Sequence, residues 1–245
     1  MYTANLGISD QDNPVRASFL DAKNELIKQI PKKHQKVPNL SSNCCGFNTD
    51  KCSKEAWEKI FLISKTVFDE QNSIHQKILC TLYAAITGSS TPAERRGPHW
   101  EELGFQSNDP VTDLRATGMM GLVLPLEMFS CCKDFSRRVL ETSQAPDHGF
   151  PLMIILIVLT STAIEACGTT SILKGNDFNE CWEQMVFFFI GMVDEVCTKW
   201  KNESCTIQNN YGLFVKIQQK CLSKPQNTVK NGMKIRGKDN NNSFK

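Results

Sequence analysis

The chain has 245 residues, 40% apolar and 22% charged, with a formal net charge of +2, enough to bury a core and of a length that suits one domain with appendages. Its opening, MYTANLGISDQDNPVR, has neither the basic n-region nor the apolar h-region of a secretory leader, so the expected compartment is cytoplasmic. The eleven cysteines are odd in number, include the adjacent pairs Cys44 with Cys45 and Cys131 with Cys132, and lie partly inside apolar helical patterns, which argues for reduced thiols acting as small hydrophobes and against a disulfide framework.

In chain order, residues 1–50 read as an N-terminal extension with room for one helix. Ser53 is placed to cap a helix whose stripe is Ala56, Ile60, Ile63 and Val67, flanked by Trp57, Phe61 and Phe68. A second stripe, Ile74, Ile78, Leu82 and Ile86, repeats every four residues until Gly88-Ser89-Ser90-Thr91-Pro92 breaks it into a loop. A third apolar stretch runs from Leu114 to Phe129; Gly118 and Gly121 in it allow close helix approach, and Pro125 is expected to kink or split it. Lys133 to Thr142 is a short amphipathic piece. The run FPLMIILIVLTSTAI from Phe150 to Ile164 is interrupted by Thr160, Ser161 and Thr162; it is shorter than the roughly 20 apolar residues a bilayer span needs and reads as a buried helix ending near Gly168. Asn176 or Asp177 then caps a long segment carrying Trp182, Val186, Phe189, Ile190, Val193, Cys197 and Trp200 at helical spacing, and Tyr211 to Leu222 puts Phe214, Ile217 and Cys221 on one face. No stretch alternates between hairpin turns, so the fold class expected is all-α, one compact multi-helix domain over 51–222 with flexible extensions at both ends.

Charge is uneven. From Gln219 to the end, Lys220, Lys224, Lys230, Lys234, Arg236, Lys238 and Lys245 face Asp239 alone, a net +6 that leaves −4 for the rest. With almost no apolar content after Ile235, residues 223–245 read as a basic disordered tail, able to make a weak contact with an anionic membrane. Nucleic acid is disfavoured, because no aromatic residue interleaves with the basic ones before Phe244.

Metal and hydrolase chemistry find little support. His34, His75, His99 and His148 lack metal-ligand spacing, and Cys44, Cys45 and Cys52 with His34 have no CxxC pair, so they read as free thiols in a polar extension. Asp147 and His148 near Ser143 come without a nucleophile-elbow sequence. There is no GxxxxGK[ST] loop, and no cofactor site is expected in the chain itself.

The informative segment is Trp100 to Leu126, WEELGFQSNDPVTDLRATGMMGLVLPL. Asp109 before Pro110 is a helix start, with a carboxylate at the cap and proline at the first position, where a missing N–H costs nothing. Asp113 gains from the positive helix end. Arg115, in the second turn, has two readings on local grounds: a surface pairing with Asp113 or Glu102, or anion binding, and composition favours the first.

The same residues carry a resemblance. Trp100, then Gly104-Phe105-Gln106 after three residues, then Pro110, Thr112-Asp113, Leu114 and Arg115 at fixed spacing are similar to the signature of the ELMO domain, and the apolar helix after Phe150 and the aromatic helix around Trp182 stand in the family's order. The resemblance covers about Lys51 to Leu222, with two departures: Ala116 where the family has glycine, and Pro125 in a run that is normally leucine-rich. The chain's length places it with the short members rather than the large scaffolds that carry repeat and pleckstrin-homology regions. The resemblance implies a GTPase-activating protein for an Arf- or Arf-like-family small GTPase, with Arg115 as the arginine finger, GTP and Mg²⁺ carried by the partner, and a cytoplasmic location, peripheral on an organelle membrane at most. Trp100 and Phe105 are then core anchors, Gly104 serves a tight turn, Asp109, Pro110 and Thr112 set the helix start, Asp113 orients Arg115, and the Gln106 side chain bonds loop backbone rather than aiding the partner's water. The alternative is a binding or adaptor module that occupies a GTPase or scaffold without accelerating anything.

Overall fold

In the computed structural model, residues 14–29, 37, 51–203, 205–206 and 211–242 are described, and among them there are ten α-helices and one 3₁₀ helix but no strand. The helices are α1 (Pro14–Gln29), α2 (Lys51–Lys65), α3 (Ser73–Thr87), α4 (His99–Glu102), α5 (Met120–Cys131), α6 (Lys133–Ser143), α7 (Leu152–Thr169), α8 (Phe178–Asn202), α9 (Tyr211–Ser223) and α10 (Pro225–Asn242), with the 3₁₀ helix at Pro110–Ala116. The all-α expectation holds. The helix expected within the first fifty residues is α1; His34, Cys44 and Cys45, and the side chain of Cys52, lie outside the described residues, as do Phe244 and Lys245.

Helix α5 is the centre. Every one of its residues is buried, and it packs against α1, α2, α3, α6, α7 and α8; a helix apolar nearly all round, with Glu127 its one charged residue, has no other stable place in water. Helix α7 is similar in composition. Its 18 residues make it long and apolar enough to cross a membrane by length and composition, longer than the run read from sequence, and 61% of it is buried against α2, α5, α8 and α9. Burial pushes the Cys167 thiol of α7 above its ordinary range and that of Cys197 in α8 up to about 12, so both remain protonated, small and apolar.

The caps largely follow the residues read from sequence. Gly88 closes α3 at φ 71°, its N–H donating to the Ala84 carbonyl. Asp177 opens α8 by accepting the Glu180 N–H at 2.9 Å, and Glu180 returns a carboxylate to the Asn176 N–H, a reciprocal arrangement of the capping-box kind. Ser53 does not cap α2. That helix begins at Lys51, and the Ser53 hydroxyl instead donates to the Leu173 carbonyl at 2.8 Å. Val67, placed on the α2 stripe by its spacing, falls past the helix end and is 77% exposed; the chain turns after Lys65 so that the Thr66 carbonyl takes the Met119 N–H at 2.9 Å.

Two further expectations are corrected. The apolar stretch from Leu114 is split at Gly118, where φ is 51° and a Cβ would stand 2.6 Å from the carbonyl oxygens of Ser64 and Thr66. Pro125 does not split it and lies inside α5. The disordered tail read over 223–245 does not hold for 225–242, which form α10 along α8. Averaging the composition hid its inner face: Val229, Gly232, Ile235 and Asp239 are buried. At Gly232 a Cβ would collide with the Phe187 carbonyl, and at Gly191 with that of Thr228, so the two backbones approach as closely as glycine permits.

Candidate functional site

The signature segment is a loop and 3₁₀ helix pinned to the core at several points. Trp100 is fully buried, with its ring edge-on to Tyr83 and Phe105 at 5.3 and 5.7 Å and its indole N–H donating to the Glu94 carbonyl at 3.1 Å. The expected anchoring roles of Trp100 and Phe105 are what the packing displays, and aromatic anchors of this size dominate local stability. Gly104 has φ 85°, and a Cβ there would meet the backbone of Pro151 and Leu152. That contact has a use. Helix α7 has no side-chain cap; its first-turn N–H groups at Met153 and Ile154 donate to the Leu103 and Gly104 carbonyls, each at 3.1 Å. The loop therefore caps the core helix, and orphan donors that water would otherwise satisfy are tied to it.

The 3₁₀ helix starts as its sequence suggests. Asp109 accepts the Val111 N–H at 3.1 Å with Pro110 buried behind it, and the Thr112 hydroxyl donates to the Asp109 carbonyl at 2.8 Å. Asp109 does more than cap. Its two oxygens take Arg95 Nη1 at 2.7 Å and Arg96 Nε at 3.1 Å, and both arginines also reach Glu70 Oε1, at 3.2 and 2.5 Å. Burial works against the Asp109 carboxylate, but the bond from Arg95, the Val111 N–H and Arg96 outweigh it and hold its pKa below the ordinary value. Sequence reading missed Glu70, Arg95 and Arg96. The adjacent arginines ahead of Gly97 were the only hint, and nothing in a linear sequence pairs them with an acid 14 and 13 positions on.

Asp113 does not bond Arg115. Its Oδ2 accepts the Gln106 N–H at 2.8 Å, which closes the loop from Phe105 back onto the 3₁₀ helix. Burial raises its pKa, opposed by that N–H and by the charge of Arg115, so the influence of Asp113 on the arginine is electrostatic rather than a direct clamp. Gln106 is held by its backbone, and its side chain is exposed; the expected side-chain bond to loop backbone is not what ties it.

Arg115 itself is exposed. Its Nε donates to the Thr112 carbonyl at 2.9 Å, and among the described residues its two Nη groups have no hydrogen-bond partner. It lines neither the cavity of about 290 Å³ beside Gly104 and Phe105 nor that of about 270 Å³ beside His148 and Trp200. Ala116 follows it within helical backbone, and the positive φ falls two residues later at Gly118, so alanine at 116 brings no backbone conflict.

The sequence profile of the ELMO/CED-12 family matches residues 58–212. The chain belongs to the ELMO/CED-12 family. Among curated proteins it is 26% identical over 185 residues to ELMO domain-containing protein 3 of Bos taurus, covering 72% of this chain and 47% of that protein. It is 32% identical over 115 residues to the Mus musculus protein of the same name, covering 46% and 30%, and 27% identical over 110 residues to ELMO domain-containing protein 2 of Homo sapiens, covering 45% and 38%. The chain thus spans less than half the length of these relatives. No solved structure matches it. Helix α1 and helix α10 lie outside the span of the family profile, and both pack onto the ELMO domain.

The hydrolase reading on Ser143, Asp147 and His148 is not assembled, and the set His34, Cys44, Cys45 and Cys52 falls outside the described side chains. The Ser143 hydroxyl donates to the Leu140 carbonyl of its own helix, and His148 Nδ1 lies 3.2 Å from the Cys205 carbonyl. Among the described residues no three metal-ligating side chains converge.

Proposed function

We propose that the protein is a cytosolic GTPase activator that supplies Arg115 in trans to a small GTPase of the Arf family. The observation that supports this reading most is the state of that side chain. One guanidinium nitrogen is tied down by the Thr112 carbonyl while the terminal fork faces solvent with no partner among the described residues, on a segment pinned to the core through Trp100 and Gly104 and held at Asp109 by Arg95 and Arg96. A finger has to be fixed at its base and open at its tip, and it has to stand on a surface that another polypeptide can cover.

Hydrolysis of GTP spreads negative charge over the γ-phosphate oxygens, and a planar, permanently charged donor pair stabilises it. The partner contributes nucleotide, Mg²⁺ and the group that orients the attacking water. On this chain's side, Asp113 and Asp109 hold the loop, and the Nε bond restricts the guanidinium before docking. That lowers the conformational entropy lost at the moment of reaction. An arginine of this kind accelerates hydrolysis by about 10³ to 10⁵, or roughly 4 to 7 kcal/mol of transition-state stabilisation.

The test is single-turnover GTP hydrolysis by a panel of purified Arf-family GTPases, each with and without this chain. At least one should be stimulated by several orders of magnitude. If none responds although one binds, the domain is a binding module and the catalytic reading is lost.

A further inference from the structure

Helix α10 turns one face to α8 and the other to water. Asn227, Lys230, Lys234, Gly237 and Lys238 are exposed, and Met233 at the edge of that face is 47% exposed. Spacing of four residues puts Lys230, Lys234 and Lys238 in one row, about 6 Å apart along the axis. The helix carries a single acid, Asp239, and it is buried, its Oδ2 accepting the Phe135 N–H at 3.1 Å.

Two of the acids that α8 brings alongside are paired with other cations, Glu183 with Arg236 at 3.2 Å and Glu195 with Lys220 at 2.6 Å, while Asp194 accepts from the neutral Asn231 amide at 2.9 Å and keeps its charge. Among the described residues Lys230, Lys234 and Lys238 have no ion-pair partner. The row is also held in place, because the contacts of Gly232 with Phe187 and of Gly191 with Thr228 seat α10 on α8. Little ordering is therefore needed for the three ammonium groups to act together.

We propose that the outer face of α10 docks on an anionic phospholipid bilayer, with the three lysines at the headgroup phosphates and Met233 as a shallow apolar contact. The alternative anionic polymer, a nucleic acid, fits less well. Arg236, which has the forked geometry suited to phosphate and base edges, is turned to Glu183, and no aromatic residue stands on the exposed face to stack a base. Compact ammonium groups on a flat row match a surface of delocalised charge. This proposal stands on the α10 face and does not rest on the activator reading.

Vesicle co-sedimentation tests it. The chain should bind phosphatidylcholine vesicles containing phosphatidylserine and not phosphatidylcholine alone, with binding falling as salt rises from about 0.05 to 0.5 M. Each lysine contributes about fivefold, so Lys230→Gln/Lys234→Gln/Lys238→Gln should bind about 100-fold more weakly, with an unchanged thermal melt because all three side chains are exposed. The double variant Lys230→Gln/Lys238→Gln should lose about 25-fold. Equal binding by wild type and triple variant, or no dependence on phosphatidylserine, overturns the proposal. So does a preference for duplex DNA or RNA over the vesicles at equal phosphate concentration.

Discussion

Glu127 and Asp109 are both carboxylates shared between more than one partner, yet they sit in opposite settings. Glu127 lies in the buried helix α5, where its Oε2 takes Lys23 of α1 at 2.9 Å and the indole N–H of Trp182 of α8 at 3.0 Å, with the lysine also 5.2 Å from the Trp182 ring centre. Asp109 lies near the surface between Arg95 and Arg96, with Glu70 beyond them. Desolvation separates the two. A charge pair inside the core adds little over a good apolar contact but is costly to break, whereas a surface pair has small effects either way. The inner cluster therefore fixes how three helices register, and the outer one holds a loop at modest cost, where a functional side chain can be displayed.

The predictions sharpen that contrast. Replacing Arg115 with alanine should have the largest effect: stimulated hydrolysis falls by about 10³ to 10⁵ while the melting temperature stays put, because the side chain is exposed and its single bond is to its own 3₁₀ helix. Glu127→Ala should do the reverse, costing about 3–5 kcal/mol in chemical denaturation by stranding Lys23 and the Trp182 N–H. Asp109→Ala removes a cap and leaves Arg95 and Arg96 with Glu70 alone, so a loss of about 1–2 kcal/mol is expected, together with reduced stimulation because Arg115 is held less firmly. An outer-cluster variant that unfolds the domain as severely as Glu127→Ala would erase the distinction.

The smallest effect is one of pH. His75 is buried in the first turn of α3, and its Nδ1 accepts the Asp69 N–H at 2.9 Å. Burial lowers its pKa below 6.5, against the opposing charge of Asp69, so the fold binds the neutral ring and protons favour the unfolded chain. Its contribution is present above pH 6.5 and is lost as pH falls through the lower folded value. Thermal melts at about pH 7.5 and about pH 5.5 should show wild type losing more stability on acidification than His75→Gln.

Much of this was legible in the chain itself. The four-residue repeat through Ile78, Leu82 and Ile86, the cap read at Asn176 or Asp177 and the Asp109-Pro110 start are local signals that survive into the structure, whereas the Ser53 cap, equally local, does not. What sequence reading missed depends on distant partners. Gly118 rather than Pro125 divides the third stretch because the carbonyls of Ser64 and Thr66 crowd it, and that neighbour is some fifty residues away. Helix α10 was hidden because asparagine and lysine together dominate its composition, while the glycine that lets it settle on α8 reads in isolation as a breaker. The Arg95, Arg96 and Glu70 cluster was invisible for the same reason: each residue is an ordinary surface charge until the fold brings Asp109 between them.

The central claim is that the geometry of one guanidinium, and not positive charge alone, carries the activity. Arg115→Lys keeps the charge and removes the fork. In single-turnover hydrolysis with a responsive GTPase and saturating activator, the lysine variant should leave the rate near the partner's intrinsic value; a rate close to wild type would contradict the account.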